Sequence, residues 1–181
     1  LAALGRGLAE VRAEGVASGL PGLRLLIEPG RYLLGPAGCY LTRVVDRKSV
    51  EGVEVAVLDG GIHHALRPAL VGQPHRTVAL GRGPVAPAQA GRRAVRVTLA
   101  GPLCTGLDLL GSGPSTVVPE LGDLVAVRDL GAYGFTEAMP WFLSHPMPPE
   151  VVLRGGAAHL VRPRLEPSTW LDRQRIPPAQ G

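Results

Sequence analysis

Several short stretches set side by side residue types that can do chemistry. Glu28-Pro29-Gly30-Arg31 places a carboxylate and a guanidinium three residues apart, directly after the apolar run Leu25-Leu26-Ile27. Gly101-Pro102-Leu103-Cys104-Thr105 presents a cysteine from a Gly-Pro turn, with Asp108 four residues further on. Gly131-Ala132-Tyr133-Gly134 holds a tyrosine between glycines at the end of an apolar segment, and Asp59-Gly60-Gly61 leads through His63 and His64 to Arg67. A guanidinium fork suits a carboxylate or a phosphate, and a thiol can hand over a proton as a general acid. Each stretch also has a purely structural reading. Glu28 and Arg31 can be a buried ion pair capping a strand, Cys104 a small core hydrophobe, and Tyr133 a ring packed at a sheet edge.

Metal chemistry is not expected. His63 and His64 are adjacent on a turn and so point in different directions, His75 stands apart, and no Cys/Asp/Glu cluster completes a site. Cys39 and Cys104 lack the spacing of a zinc site or a disulfide framework. Lys48 is the only lysine, and it lies in the polar turn Asp46-Arg47-Lys48-Ser49.

The elements that must position these residues follow from periodicity. Leu1, Leu4, Leu8 and Val11 recur at helical spacing, and Ser18-Gly19-Leu20-Pro21-Gly22 ends the helix. Residues 23–27 read as a strand buried on both faces, with Glu28 and Arg31 at its C-terminal end, where α/β folds handle ligands. From there the pattern turns to β, with strands expected at 39–45, 53–58, 76–80, 94–99, 124–127, 151–153 and 159–161. Val95, Val97 and Leu99 alternate with Arg96 and Thr98, so one face of that strand is core. Residues 60–68 read as a turn entering a short helix, 81–91 as a flexible loop, and 168–175 as a last short helix. The expected fold is mainly β: a C-terminal β-sandwich or barrel over 37–181, preceded over 1–36 by the last helix–strand step of a TIM-type barrel.

Composition narrows the function. Gly 25 and Pro 18 make up nearly a quarter of 181 residues, which favours turns and short strands. The net charge of +4 suggests a nucleic-acid partner only superficially, because the arginines are scattered and aromatics are 4%. No nucleic-acid or membrane partner is expected, and a cytoplasmic location is the default. Because the chain opens inside a helical pattern without Met, it reads as a piece of a longer protein.

Four motifs, in order, resemble the pyridoxal-phosphate decarboxylases of the alanine-racemase-like fold, which include diaminopimelate, ornithine and arginine decarboxylases. They are EPGRYLL from Glu28, GPLCTGLDLLG from Gly101, GDL…GAYG from Gly122, and residues 142–153. The resemblance implies pyridoxal 5'-phosphate as cofactor and a homodimer with shared active sites. It implies that Glu28 stabilises the cofactor's protonated ring nitrogen, that Gly30, Arg31 and Tyr133 contact the cofactor, and that Arg31 or Tyr133 also touches substrate. It further implies that Cys104 reaches the other subunit's site as the proton donor, and that Arg67 and Asp59 grip the substrate's far end beside Thr105. The lysine that carries the cofactor in such enzymes belongs to an earlier barrel strand, so the chain alone is expected to be inactive. Thr105 stands where the family has Glu or Asp, and Val71 where diaminopimelate enzymes have tyrosine. These departures admit a modified or carrier-bound amino acid as substrate. The alternatives are a non-catalytic β module for oligomerisation or regulation, and a racemase of the same fold class, which is disfavoured because racemases place arginine at the ring nitrogen.

Overall fold

A computed structural model describes residues 2–85 and 93–177. It divides into two compact units, Leu1–Gly30 and Arg31–Gly181.

The first unit is one helix and an extended tail. Helix α1 spans Ala2–Ala17 and buries none of its residues. It ends where Gly19, at φ +87°, lets the Leu20 amide donate to Gly15 O (3.0 Å) and the Gly19 amide to Val16 O (3.1 Å). This is the paired closure that a left-handed glycine permits. Leu23 folds back onto Gly15, where any Cβ would collide with its side chain. The strand expected at 23–27 does not form. No described strand pairs with it, and Leu25, Leu26 and Ile27 are 39%, 86% and 46% exposed. A strand takes its hydrogen bonds from a neighbour, so an apolar run without one stays extended and unpaired. Glu28 is accordingly exposed rather than buried.

The second unit is a seven-stranded sheet with a separate hairpin. A helical turn, α2 (Gly30–Leu34), runs into a 3-10 turn at Gly35–Ala37. The sheet contains β1 (Cys39–Val50), β2 (Val53–Leu58), β3 (Thr77–Ala79), β4 (Gly83–Pro84), β5 (Val95–Ala100), β6 (Leu109–Ser115) and β7 (Leu124–Arg128). Their spatial order is β4-β3-β7-β1-β2-β5-β6. β1 is the corner strand: its first half pairs with β7, and after a register shift between Val44 and Asp46 its second half pairs with β2. Such an irregularity bends a strand and sharpens its twist, so the two halves of the sheet wrap one core. Val44, Leu58, Val97, Leu99, Leu110, Val125 and Val127 form its centre, each at most 2% exposed. Each buried leucine or valine there contributes about 2 kcal/mol. β2 and β5 run parallel, and the long crossover between them carries helix α3 (Arg67–Leu70), β3 and β4.

The alternation read in β5 holds, with Val97 and Leu99 buried and Arg96 exposed. Two strands escaped the sequence reading. β4 lies within the expected loop 81–91, of which residues 86–91 lie outside the described residues. β6 has the sequence LLGSGPS, and its glycines and Pro114 argue against a strand. It is nonetheless tolerated at the end of the sheet, where an edge position spares a proline its missing donor. Beyond the sheet, β8 (Glu150–Arg154) and β9 (Ala157–Arg162) form a hairpin. Gly155 and Gly156, both at positive φ (59° and 78°), make its two-residue turn, the geometry that matches strand twist. Helix α4 covers Ser168–Leu171. No helix among the described residues is long and apolar enough to cross a membrane.

Candidate functional site

Backbone hydrogen bonds join the stretch around Arg31 to the stretch around Tyr133. The Gly131 amide donates to Gly35 O (3.0 Å) and the Leu130 amide to Gly38 O (3.0 Å). The approach is close enough that a Cβ on Gly131 would collide with Leu34 O, and one on Gly38 with the Gly131 backbone. These glycines are therefore required by contact. Tyr133 follows at φ +61°, an uncommon conformation for a non-glycine residue, and is 48% exposed. Arg31, also exposed, lies in α2 on the other side of this junction.

Arg67 meets the same tyrosine. Its guanidinium carbon lies 5.1 Å from the Tyr133 ring centroid, within cation–π range. Arg67 Nη1 donates to both oxygens of Glu137, at 2.6 and 2.8 Å. The two side chains are only 14% and 26% exposed, so this pair is better shielded than a surface salt bridge. The buried Arg67 Nε has no partner. Glu137 was not singled out from the sequence, although it is the only carboxylate between Asp129 and Glu150. Its partner lies 70 residues earlier, a separation that no local pattern encodes.

The loop that carries Cys104 is the β5–β6 connection, closed by the Gly101 amide on Asp108 O (2.9 Å). Cys104 is exposed, so the core-hydrophobe reading fails. Asp108 is instead the buried member, at 2%. Its Oδ2 accepts from the Leu103 amide and its Oδ1 from the Ile62 amide, both at 2.7 Å. One carboxylate thus shapes the cysteine loop and fastens it to the Gly60-Gly61 turn. Gly61 and Gly101 must be glycine, because a Cβ on either would strike that carboxylate.

The segment from Asp59 to Arg67 is the hub of the arrangement. Asp59 Oδ1 accepts from the Thr42 hydroxyl (2.6 Å) and the Arg43 amide (2.8 Å). His64 Nε2 must donate to Pro146 O (2.8 Å), since a carbonyl only accepts, so Nδ1 accepts from the Tyr40 hydroxyl (2.7 Å). Burial holds His64 neutral by lowering its pKa, and raises that of Tyr40. His63 is fully buried against the rings of His64 and His145, at centroid distances of 3.8 and 4.7 Å. Neither of its ring nitrogens has a partner. Burial first, then the two neighbouring imidazoles, push its pKa down to about 3.

The structure therefore pairs Arg67 with Tyr133 and Glu137, joins the Arg31 and Tyr133 turns through their backbone, and ties the Cys104–Thr105 loop to the Gly60-Gly61 turn through Asp108. Glu28 belongs to the first unit and Lys48 to β1. Among the described residues no group of His, Cys, Asp and Glu is arranged to hold a metal ion. An open cavity of about 220 Å³ lies between the 68–74 segment and β6, and none of the candidate residues lines it. The donors fit pyridoxal phosphate in kind. The exposed Tyr133 phenol can donate to an anion such as phosphate, the exposed Arg31 guanidinium suits the same group, and the exposed Glu28 carboxylate suits a protonated ring nitrogen.

Comparison with known proteins agrees. The family described as pyridoxal-dependent decarboxylase, C-terminal sheet domain, matches residues 31–131. An L-glutamyl-[BtrI acyl-carrier protein] decarboxylase of Niallia circulans is 38% identical over 143 residues, which are 78% of this chain and 33% of that protein. The diaminopimelate decarboxylase of Vibrio cholerae is 37% identical over 156 residues, or 86% of this chain and 35% of that one. Among solved structures, diaminopimelate decarboxylase from M. jannaschii superposes with a TM-score of 0.69 at 26% identity, over 82% of this chain and 32% of that chain. The Helicobacter pylori enzyme complexed with L-lysine gives 0.67 at 26% identity, over 88% and 38%. The chain spans about a third of the length of the curated relatives it matches. With more than half of its residues matched and the sheet superposing on solved members, this chain belongs to the pyridoxal-dependent decarboxylases, as their C-terminal sheet domain.

Proposed function

We propose that this chain is the C-terminal part of a pyridoxal-phosphate-dependent decarboxylase that removes CO2 from an α-amino acid, working as a homodimer with shared sites. The observation that carries the reading is the hydrogen-bonded junction of the turn that follows Arg31 with the turn that carries Tyr133, packed so closely that Gly38 and Gly131 admit no side chain. Pyridoxal phosphate, when bound, supplies the electron sink for the pair of electrons left by CO2. Arg31 and the Tyr133 hydroxyl bind the cofactor's phosphate region and fix its orientation. Glu28 accepts a hydrogen bond from the protonated ring nitrogen and keeps that proton in place. The Cys104 thiol, exposed at the tip of the β5–β6 loop, donates its proton from Sγ to the substrate α-carbon after CO2 has left. Asp108 acts only through the loop it shapes.

The test uses the full-length polypeptide loaded with cofactor and a panel of free and carrier-bound amino acids. Release of CO2 from at least one of them is expected. Tyr133→Phe should weaken cofactor retention about tenfold, or roughly 1.4 kcal/mol, read from the cofactor's absorbance after dialysis. Cys104→Ala should retain cofactor fully and lose turnover by about a hundredfold. Full cofactor occupancy with no CO2 from any member of the panel would leave the chain a non-catalytic β module.

A further inference from the structure

We infer that Glu137 is a specificity-determining residue that makes the site reject a free distal carboxylate, so that the substrate is an α-amino acid whose far carboxyl is masked as a thioester, ester or amide. This rests on the decarboxylase reading and deepens it. The cation that meets the Tyr133 ring is already committed. Arg31 being assigned to the cofactor's phosphate, Arg67 is the guanidinium left for a substrate's far end; it stacks on the exposed Tyr133 ring, yet both Glu137 oxygens sit on its Nη1. An anion arriving from solution must displace a carboxylate tethered within the same domain, whose effective concentration is millimolar or higher. Displacement would also leave the half-buried Glu137 unpaired beside a second carboxylate, and breaking a shielded pair costs more than forming it gained.

A distal ammonium fares no better on the Cys104 loop. Thr105 is neutral, and Asp108, the only charge between Gly101 and Leu110, is buried with each oxygen taken by a backbone amide. Asp59 belongs to the other end of the segment that carries Arg67, where its Oδ1 accepts from Thr42 and Arg43. An uncharged, hydrogen-bonding far end suits the Arg67–Glu137 pair and the neutral Thr105 loop. A neutral carbonyl can accept from Arg67 while Glu137 stays in place.

The experiment uses the full-length holoenzyme and its Glu137→Gln and Glu137→Asp variants. Two readouts are taken: kcat/KM for γ-methyl L-glutamate against free L-glutamate, and calorimetric Kd for monomethyl glutarate against glutarate. The wild type should favour the ester in both by about tenfold or more. Glu137→Gln, which keeps the shape and removes the competing charge, should shrink both preferences about tenfold. Glu137→Asp, which keeps the charge, should retain most of them. A wild type that favours the free dicarboxylate, or a Glu137→Gln variant with both preferences unchanged, overturns the inference and reduces the pair to a structural one. If no amino acid is decarboxylated, the decarboxylase reading fails by itself, and the two Kd values still decide whether Glu137 excludes the anion.

Discussion

His63 shows how far one side chain can depart from its ordinary chemistry when the fold closes over it. Buried against His64 and His145 with no hydrogen-bond partner, it stays neutral down to about pH 3, whereas in the unfolded chain it takes up a proton near pH 6.5. Between those values the unfolded state binds the extra proton, so stability rises with pH and is fully present above 6.5. It is lost as the pH falls toward 3. His64, also lowered by burial, adds in the same sense. Replacing His63 by leucine removes one proton from this linkage, so the slope of unfolding free energy between pH 4 and 6 should drop by up to about 1.4 kcal/mol per pH unit. At pH 7 the variant should lie within about 1 kcal/mol of the parent, because the imidazole forfeits no hydrogen bond. Urea midpoints at pH 4.5 and 7 measure this, and identical slopes in parent and variant would show that His63 does not titrate on unfolding.

At the scale of elements, the β5–β6 connection depends on a carboxylate rather than on its own turn residues. Asp108 satisfies the amides of Leu103 and Ile62, which belong to two different loops. Asp108→Ala orphans both donors at about 1–3 kcal/mol each, so a loss of roughly 2–5 kcal/mol is expected in chemical denaturation. Asp108→Asn keeps one acceptor and turns an amide group toward the other donor, and should lose about half as much. Iodoacetamide labelling should separate the loop from the sheet. If Asp108 shapes the cysteine loop, Cys104 changes its labelling rate in Asp108→Asn while Cys39, at the start of β1, does not. Equal rates at both cysteines in parent and variant would detach Asp108 from the presentation of Cys104.

At the scale of the molecule, the proposed chemistry turns on which subunit supplies Cys104. Glu28 lies in the first unit, while Arg31, Cys104 and Tyr133 lie in the second, and Cys104 is exposed on a loop. With shared sites in a two-fold dimer, each site borrows the same residue from its neighbour. Mixing inactive full-length Cys104→Ala and Glu28→Gln variants in equal amounts, with subunit exchange, should then recover about a quarter of wild-type turnover. Half the dimers are mixed, and each mixed dimer holds one intact site. Recovery of nothing, with exchange verified by differently tagged subunits, would return Cys104 to the subunit that carries Glu28.

What the sequence determined by itself was local and additive. The alternation in Val95, Val97 and Leu99, the left-handed stop at Gly19, the cysteine turn and the Gly-flanked tyrosine are each written in a few consecutive residues. Helical and strand periods and turn chemistry act over that range. The tertiary structure decided whatever depends on a partner distant in the chain. Residues 23–27 have the composition of a buried strand, yet they stay unpaired because β structure exists only when a second strand answers its amides and carbonyls. β6 looks like a loop and becomes a strand because β5 answers it. Arg67 reads as a free cation until the fold sets Glu137, 70 residues away, against its Nη1. That charge balance is written in no motif, because its two members meet only in the folded chain.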